Sequence, residues 1–197
     1  LMREMIMLQR PSAGSVRAFD VDVTALDDEQ ALALRRRWGV MFQRGGLFSA
    51  LTVRENVGLP LREYSELDDA LIDAIAEWKL SLTGLAPDAG LKFPGELSGG
   101  MLKRASLARA IALDPELVFL DEPTSGVDPV ARDAFWRLLI ELSRRDRVTI
   151  FISTHFMNEA ERCDRISLMH AGKVLVSAKP ADIATQHGAG SLEQAFI

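Results

Sequence analysis

The chain carries the stretch Leu117-Val118-Phe119-Leu120-Asp121-Glu122, an unbroken apolar run that ends in two adjacent carboxylates. Such a run is typical of a strand buried in a parallel sheet, and open α/β sheets bind their ligands at the C-terminal ends of the strands. In a phosphoryl-transfer site Asp121 would orient magnesium, while Glu122 would orient or deprotonate the attacking water. A buried strand followed by Asp-Glu also arises by chance at the start of a loop.

The sequence around this strand alternates between helical and strand patterns, which predicts a parallel sheet with crossover helices. A helix is predicted before the strand, followed after it by an amphipathic helix, a second buried strand, a short helix and a hairpin with its turn at 171–172. The predicted ranges are 98–113, 130–145, 148–153, 158–162 and 165–178.

The first half of the chain is more mixed. It predicts a helical tail, a strand pair, a helix that Asp27 or Asp28 caps, and a short strand that ends at Gln43, over 1–8, 16–23, 28–37 and 39–42. Residues 44–97 are mainly helical, with a capping box at 52–55 and helical periodicity over 67–85. We expect one domain over 1–197, with an α/β core (1–43 and 106–197) and a helical subdomain (44–105).

A glycine-rich turn precedes the helix at 98–113, in the order Leu97-Ser98-Gly99-Gly100-Met101. Glycines allow backbone N–H groups to approach an anion at a helix N-terminus, and Ser98 adds a hydroxyl. The alternative is an ordinary serine N-cap followed by flexible glycines. The surrounding motifs decide which interpretation is preferable.

Polar residues stand at the predicted strand ends and in the loops that follow them. Gln43 ends the first strand, the carboxylate pair ends the second, Asp128 closes the loop after that pair, and His155 follows the last buried strand. This order suits one shared site for phosphate and magnesium.

With these motifs in this order, the chain resembles the ATPase domain of ABC proteins over nearly its whole length. Gln43 matches the family's Q-loop, 97–101 its signature motif, 117–122 its Walker B strand, 125–128 its D-loop and His155 its switch histidine. The resemblance implies an α/β fold of the P-loop NTPase type, with a parallel-sheet core and an inserted α-helical subdomain.

The resemblance also implies roles for individual residues toward ATP and Mg²⁺. Gln43 and Asp121 would serve magnesium, Glu122 would be the general base, and His155 would contact the γ-phosphate. Asp128 would lie in the nucleotide-binding site. Three residues would bind the γ-phosphate of ATP held by the opposite subunit of a head-to-tail dimer: Ser98, Gly99 and Gly100.

The sequence departs from the family pattern at three places. Met101 replaces the commoner glutamine, and Gly126-Val127 replaces a more usual Ala-Leu. No G-x-x-x-x-G-K-[ST] sequence occurs in the 197 residues, nor does the aromatic residue that stacks on adenine. That loop makes most of the contacts with the ATP phosphates, so we expect this chain to be inactive by itself. We also expect the chain to begin inside a longer protein, with the N-terminal strand and phosphate loop missing.

Different segments of the sequence resemble different subfamilies of ABC ATPases. Residues 40–63 resemble the ATPases of Mla-type lipid transporters, whereas 152–161 and 167–173 resemble the ATPases of ABC-2 type exporters and a related ribosome-associated ATPase. Three functions therefore stay open: an ATPase subunit that powers a membrane transporter for a lipid, drug or other solute, a soluble ribosome-associated ATPase, or a non-catalytic fragment.

The expected partners of a transporter ATPase are a transmembrane permease and a second ATP-binding domain, which places the chain in the cytoplasm on the inner face of the membrane. The formal net charge is −5, so no broad basic field would draw it to nucleic acid. The permease is expected to dock on 45–64, with an apolar lining of Leu47, Phe48 and Leu51. These three side chains could equally pack the helical subdomain.

Several single residues have simple structural interpretations. Trp38, Trp78 and Trp136 fall on apolar faces and are predicted to anchor the core. His170 and His187 are predicted to be solvated. The single cysteine, Cys163, excludes an intrachain disulfide and is expected to be a small buried residue.

Overall fold

The structure is a computed structural model that describes residues 1–186, 192 and 194. The chain divides into two compact units, Leu1–Ser153 and Thr154–Ile197. His187 lies outside the described residues.

The first unit contains five strands and six helices among its described residues. In chain order they are α1 (Met2–Met5), β1 (Arg17–Ala18), β2 (Val21–Asp22), α2 (Asp28–Arg35), β3 (Trp38–Met41), α3 (Val53–Tyr64), α4 (Asp69–Leu82), α5 (Gly99–Ala110), β4 (Leu117–Asp121), α6 (Pro129–Arg145) and β5 (Thr149–Ser153). Single 3₁₀ turns lie at Val23–Ala25, Pro87–Leu91 and Pro94–Glu96.

Three of the strands form a parallel sheet in the order β3-β4-β5. Met41 is opposite Leu120, and Asp121 is opposite Ser153, so the three strands end at the same edge. The predicted strands at 39–42, 117–120 and 148–153 are confirmed, as are the crossover helices α5 and α6 between them. The predicted strand pair at 16–23 is the antiparallel hairpin β1–β2.

Side-chain caps begin the helices where the sequence predicted them. The Asp27 side chain accepts a hydrogen bond from the Gln30 amide at α2, and Thr52 does the same for Glu55 at α3. Both helices have complete capping boxes, because the side chain three residues on returns a bond to the cap amide. Asp128 caps α6, and Pro129 occupies its first position.

Two apolar clusters hold the first unit together. One joins α3, α4 and α5 and contains Val53, Val57, Ala76, Leu80, Leu85, Ala89, Ala105, Ala108 and Ala112. The other packs α2 and the N-terminal segment on the sheet and contains Ile6, Val23, Leu34, Trp38 and Phe119. Helices α3, α4 and half of α5 lie within 44–105, but the separation of this range from the α/β core as a subdomain stays a prediction.

The tryptophans show where the apolar pattern misled the sequence analysis. Trp38 and Trp136 are 7% and 2% exposed, as predicted. The prediction for Trp78 is wrong, because its side chain is 53% exposed. The buried face of α4 runs through Ile72, Ala76 and Leu80, and Trp78 lies off that face, where Lys79 Nζ lies 4.8 Å from its ring centre.

A buried asparagine fixes the loop between β3 and α3. Asn56 is fully buried, and its Oδ1 accepts a hydrogen bond from the Phe48 amide at 2.7 Å. Its Nδ2 donates to the carbonyls of Phe48, Leu51 and Thr52 at 2.9–3.1 Å. One side chain thus satisfies four backbone groups of the loop that follows Gln43.

The second unit contains α7 (Met157–Ala160), β6 (Ile166–His170), β7 (Lys173–Ala178) and α8 (Pro180–Gln186). Strands β6 and β7 form the predicted hairpin, with Ala171 and Gly172 both at positive φ in the turn, as a two-residue turn of this hand requires. His170 beside the turn is exposed, as predicted. A small apolar cluster of Ile166, Leu168, Ile183 and Leu192 holds this unit together.

Among the described residues, no helix combines the length and the apolar character that crossing a lipid bilayer demands.

We predict that Asn56→Ala lowers the free energy of unfolding by about 2 kcal/mol or more, because the Phe48 amide and the Leu51 carbonyl lose the side-chain partner described above. Urea denaturation followed by circular dichroism measures the change. The matched control is Asn158→Ala, since Asn158 is exposed and its removal leaves the loop intact. Equal stability of the two variants would contradict the role assigned to Asn56.

We predict that Cys163 reacts slowly with thiol reagents. Burial, with the negative charges of Asp164 and Glu159 adding to it, raises the pKa of this thiol to about 11. Only the thiolate reacts, so at pH 8 its reaction with a chromogenic disulfide should be roughly a hundredfold slower than in the unfolded chain. Because the folded state holds the proton more tightly, stability should fall as pH rises from about 8.5 toward 11. Similar rates for folded and guanidinium-unfolded protein would contradict this prediction.

Candidate functional site

Three of the polar residues predicted from the strand ends lie at one edge of the parallel sheet: Gln43, Asp121 and Glu122. Asp121 is the last residue of β4, and Glu122 follows it directly. Gln43 lies two residues beyond the end of β3, the strand beside β4. Both carboxylate side chains are half-buried, and the Gln43 side chain is exposed. This edge is where parallel α/β sheets bind ligands.

The backbone of Glu122 adopts a left-handed conformation with φ of 48°. For a residue with a side chain this conformation carries strain and persists only where neighbouring groups hold it. The Glu122 amide donates to the Ser153 carbonyl at 2.8 Å. Its carbonyl accepts from Lys103 Nζ at 2.9 Å and from the Ser125 amide at 3.2 Å.

Lys103 joins this backbone to that of Gln43. It lies on α5, is 5% exposed, and its Nζ also donates to the Gln43 carbonyl at 2.6 Å. One ammonium group therefore holds the chain at the ends of both β3 and β4.

The same helix contacts the turn after Gln43. Arg109 Nη1 donates to the Gly46 carbonyl at 2.6 Å, and Nη2 donates to the Gly45 carbonyl at 3.2 Å. Burial lowers the pKa of the Arg109 guanidinium below its usual range. A Cβ at Gly45 would lie 2.5 Å from Ser106 Oγ, so the turn is packed directly on α5.

The glycine-rich turn forms a second group of predicted site residues. Ser98 is the N-cap of α5, and its Oγ accepts from the Met101 amide at 3.3 Å. A Cβ at Gly99 would lie 3.5 Å from the Gly126 carbonyl oxygen, and one at Gly100 would lie 3.3 Å from Ala131 Cβ. These glycines thus lie beside the loop that ends in Asp128, whose Oδ1 accepts from the Ala131 amide at 3.0 Å.

His155 belongs to the second unit. Its exposed ring lies against Phe156 with ring centres 4.0 Å apart. Thr154 Oγ1 donates to the buried carboxylate of Glu159 at 2.8 Å and accepts from the Phe156 amide at 3.1 Å, which fixes the local turn. The convergence of His155 with Gln43 and Asp121 stays a prediction.

The sequence analysis overlooked three polar residues on one face of α5: Lys103, Ser106 and Arg109. They repeat every three positions, and Ala105, Leu107 and Ala108 between them are buried. A lysine on the buried face of a predicted helix indicates that hydrogen-bond acceptors lie nearby, because a buried ammonium group needs them. This was the signal that the sequence offered. The partners of Lys103 are backbone carbonyls distant in sequence, which no local pattern identifies.

The donor set at the sheet edge fits magnesium. The described residues hold no group of three or more His, Cys, Asp or Glu that could enclose a metal ion. Magnesium bound to nucleotides needs no such cage, since one or two protein oxygens complete a shell of water and phosphate oxygens. Asp121 and Gln43 offer a carboxylate and an amide oxygen at this edge.

Residues 1–125 match the family model described as ABC transporter. The chain belongs to the ABC transporter family. This assignment confirms the resemblance on which the motif assignments were based.

Relatives within the ABC transporter family extend the match along the chain. The probable ribonucleotide transport ATP-binding protein mkl of Mycobacterium leprae is 37% identical over 182 residues, covering 92% of this chain and 52% of the relative. The methionine import ATP-binding protein MetN 1 of Pseudomonas fluorescens is 38% identical over 184 residues, covering 93% of this chain and 55% of the relative. The chain therefore spans about half the length of these ABC relatives.

Solved ABC cassettes have the same fold. The ATP-binding cassette MJ0796, solved as a dimer in a post-hydrolysis state bound to ADP and Pi, superposes with a TM-score of 0.83 at 29% identity, covering 90% of this chain and 78% of that one. The cbiO1 protein of Clostridium perfringens, part of the ABC transporter complex cbiONQ, gives 0.82 at 26% identity and covers 94% and 73%. The predicted α/β fold of the P-loop NTPase type is confirmed.

We predict opposite effects of glycine and alanine at two glutamates. At Glu122, Gly should be more stable than Ala by about 1 kcal/mol, because only glycine adopts a positive φ without strain. At Glu77, exposed in the middle of α4, Gly should be less stable than Ala by about 1 kcal/mol. Urea denaturation of the four variants checks the inversion. The same order at both positions would show that Glu122 is not held in the left-handed conformation.

Proposed function

We propose that this chain is the ATP-hydrolysing part of a membrane transporter, with Glu122 as the group that activates water. The observation that supports this most directly is the position of Asp121 and Glu122 at the end of β4, with the Glu122 backbone held against that of Gln43. A fixed carboxylate at this edge can accept a proton from water placed in line with a phosphate.

We propose one task for each predicted site residue. Asp121 and Gln43 would hold a magnesium ion, which would neutralise charge on the phosphates. Glu122 orients a water molecule and takes its proton. His155, at the switch-histidine position, contacts the γ-phosphate. Asp128 lies in the nucleotide-binding site.

We further propose that ATP binds between two cassettes. Ser98 and Gly99 are exposed and Gly100 is half-buried, so the glycine-rich turn is open to a phosphate presented by a second subunit. The dimeric state of the MJ0796 cassette supports this arrangement. The 197 residues contain no G-x-x-x-x-G-K-[ST] loop, so we propose that this polypeptide alone does not turn over ATP.

The partner that couples hydrolysis to transport is proposed to be a transmembrane permease, which would hold the chain at the cytoplasmic face of a membrane. Phe48, in the loop after Gln43, is 56% exposed and available for docking. Leu47 instead packs against the helical cluster. The resemblance of 40–63 to Mla-type ATPases supports a lipid as cargo, and that of 152–161 and 167–173 to exporter ATPases supports a drug or other solute.

The proposal predicts the behaviour of Glu122→Gln. The 197-residue protein should release no phosphate from Mg-ATP, whereas a graft with the N-terminal strand and phosphate loop of the MJ0796 cassette should do so. In the graft, Glu122→Gln should lower kcat by a factor of 100 or more while ATP binding persists, because an amide cannot accept the proton of water. Phosphate release and binding of a fluorescent ATP analogue measure the two properties.

The matched control is Glu116→Gln, at the opposite end of β4. Glu116 is exposed, and its Oε1 lies 2.7 Å from Arg37 Nε. The Glu116→Gln substitution should leave kcat unchanged. Hydrolysis by the ungrafted chain that disappears in Glu122→Gln would refute the need for the phosphate loop. A graft that hydrolyses ATP equally well with Gln at position 122 would refute the role of Glu122.

A further inference from the structure

The described part of the first unit buries two lysines almost completely, and they have different partners. Lys79 is 1% exposed, and its Nζ pairs with the Asp114 carboxylate at 2.5 Å. Lys103 is 5% exposed and donates to two backbone carbonyls, those of Gln43 and Glu122. Burying an ammonium group is costly unless hydrogen bonds replace its water. The Lys103 contacts therefore have to be kept whenever this helix is packed.

The two carbonyls belong to the residues whose relative position matters for hydrolysis. Glu122 directly follows the last residue of β4, and its backbone is strained at φ of 48°. Lys103 and the Ser125 amide both donate to its carbonyl oxygen. The Lys103 bond is charge-assisted and is therefore the stronger of these two hydrogen bonds. Loss of the lysine would remove it and leave only the bond from the Ser125 amide.

The Gln43 side of the contact is held by the same helix. Arg109 binds the carbonyls of Gly45 and Gly46, and Ser106 Oγ leaves no room for a Cβ at Gly45. Helix α5 therefore carries the 43–46 turn with it as a packed unit. Lys103 is the contact that also attaches this unit to β4.

We propose that Lys103 is a positioning residue for ATP hydrolysis. Its ammonium group fixes the distance between the Gln43 and Glu122 backbones and so places the Glu122 carboxylate relative to the Gln43 amide. This inference rests on the proposed function, because it assumes that Glu122 acts on water. Lys103 itself contacts neither nucleotide nor water in this role.

Hydrogen exchange in the 197-residue protein tests the positioning directly. Lys103→Met keeps the length of the side chain and removes its donors. Amide exchange followed by NMR should be at least tenfold faster at Glu122, Ser125 and Gly45. These amides donate to the carbonyls of Ser153, Glu122 and Phe42, respectively. The Ile72 amide in α4, bonded to the Asp68 carbonyl, should not change.

Lys79→Met is the matched control, since it removes the other buried ammonium group. It should raise exchange around α4 and leave Glu122, Ser125 and Gly45 within about twofold of the parent, because its partner Asp114 belongs to neither segment. Lys103→Arg, which keeps a cation with several donors, should retain most of the protection. If Lys103→Met does not fold, Lys103→Gln replaces it with the same expectation, since its shorter neutral amide cannot bridge both carbonyls.

Kinetics in the grafted protein tests the consequence for catalysis. Lys103→Met should lower kcat at least tenfold with little change in KM, and Lys79→Met should alter neither at a temperature where both variants are folded. Equal acceleration of exchange throughout the unit, or unchanged exchange at Glu122, would overturn the proposal, as would an unchanged kcat. A parent graft without turnover would count against the proposed function alone, because the exchange result decides the positioning role independently.

Discussion

The parallel pairing of β3, β4 and β5 is the constraint on which the rest of the first unit depends. Parallel strands run in one direction, so their C-terminal ends meet at one edge, and the residues after them lie close together. A parallel sheet also needs apolar cover, part of which α2 and the N-terminal segment supply here. In this chain β4 is central, and its register with β3 and β5 brings Gln43 and the Asp121-Glu122 pair to the same edge.

Helix α5 links that edge to the helical part of the unit. Its apolar residues pack with α3 and α4, and its polar residues Lys103 and Arg109 reach the segments after β3 and β4. The N-terminus of the same helix carries the glycine-rich turn. A displacement of α5 would therefore shift both the 43–46 turn and the Glu122 backbone. This arrangement gives the ABC family motifs a physical connection within one subunit.

Strain and burial are concentrated at this junction. Glu122 holds a left-handed backbone conformation, Lys103 is a buried cation, and Gly45 packs where no side chain fits. The strained backbone and the buried cation each lower stability when considered alone, and the hydrogen bond between Lys103 and the Glu122 carbonyl compensates for both. Such a mutually dependent set is expected where function requires a fixed geometry rather than maximal stability.

The sequence by itself determined the elements and the family. Apolar runs, caps at Asp27 and Thr52, and the turn at Ala171-Gly172 are local signals, and the structure contains each of them. Only the tertiary structure decided that Trp78 is exposed, that Asn56 organises its loop, and that Lys103 bridges the ends of two strands. The reason is that helix caps and strand runs depend on neighbours a few residues away. The Lys103 contacts instead join residues 60 and 19 positions apart. Their acceptors are backbone carbonyls, which every residue has, so the amino-acid sequence does not identify them.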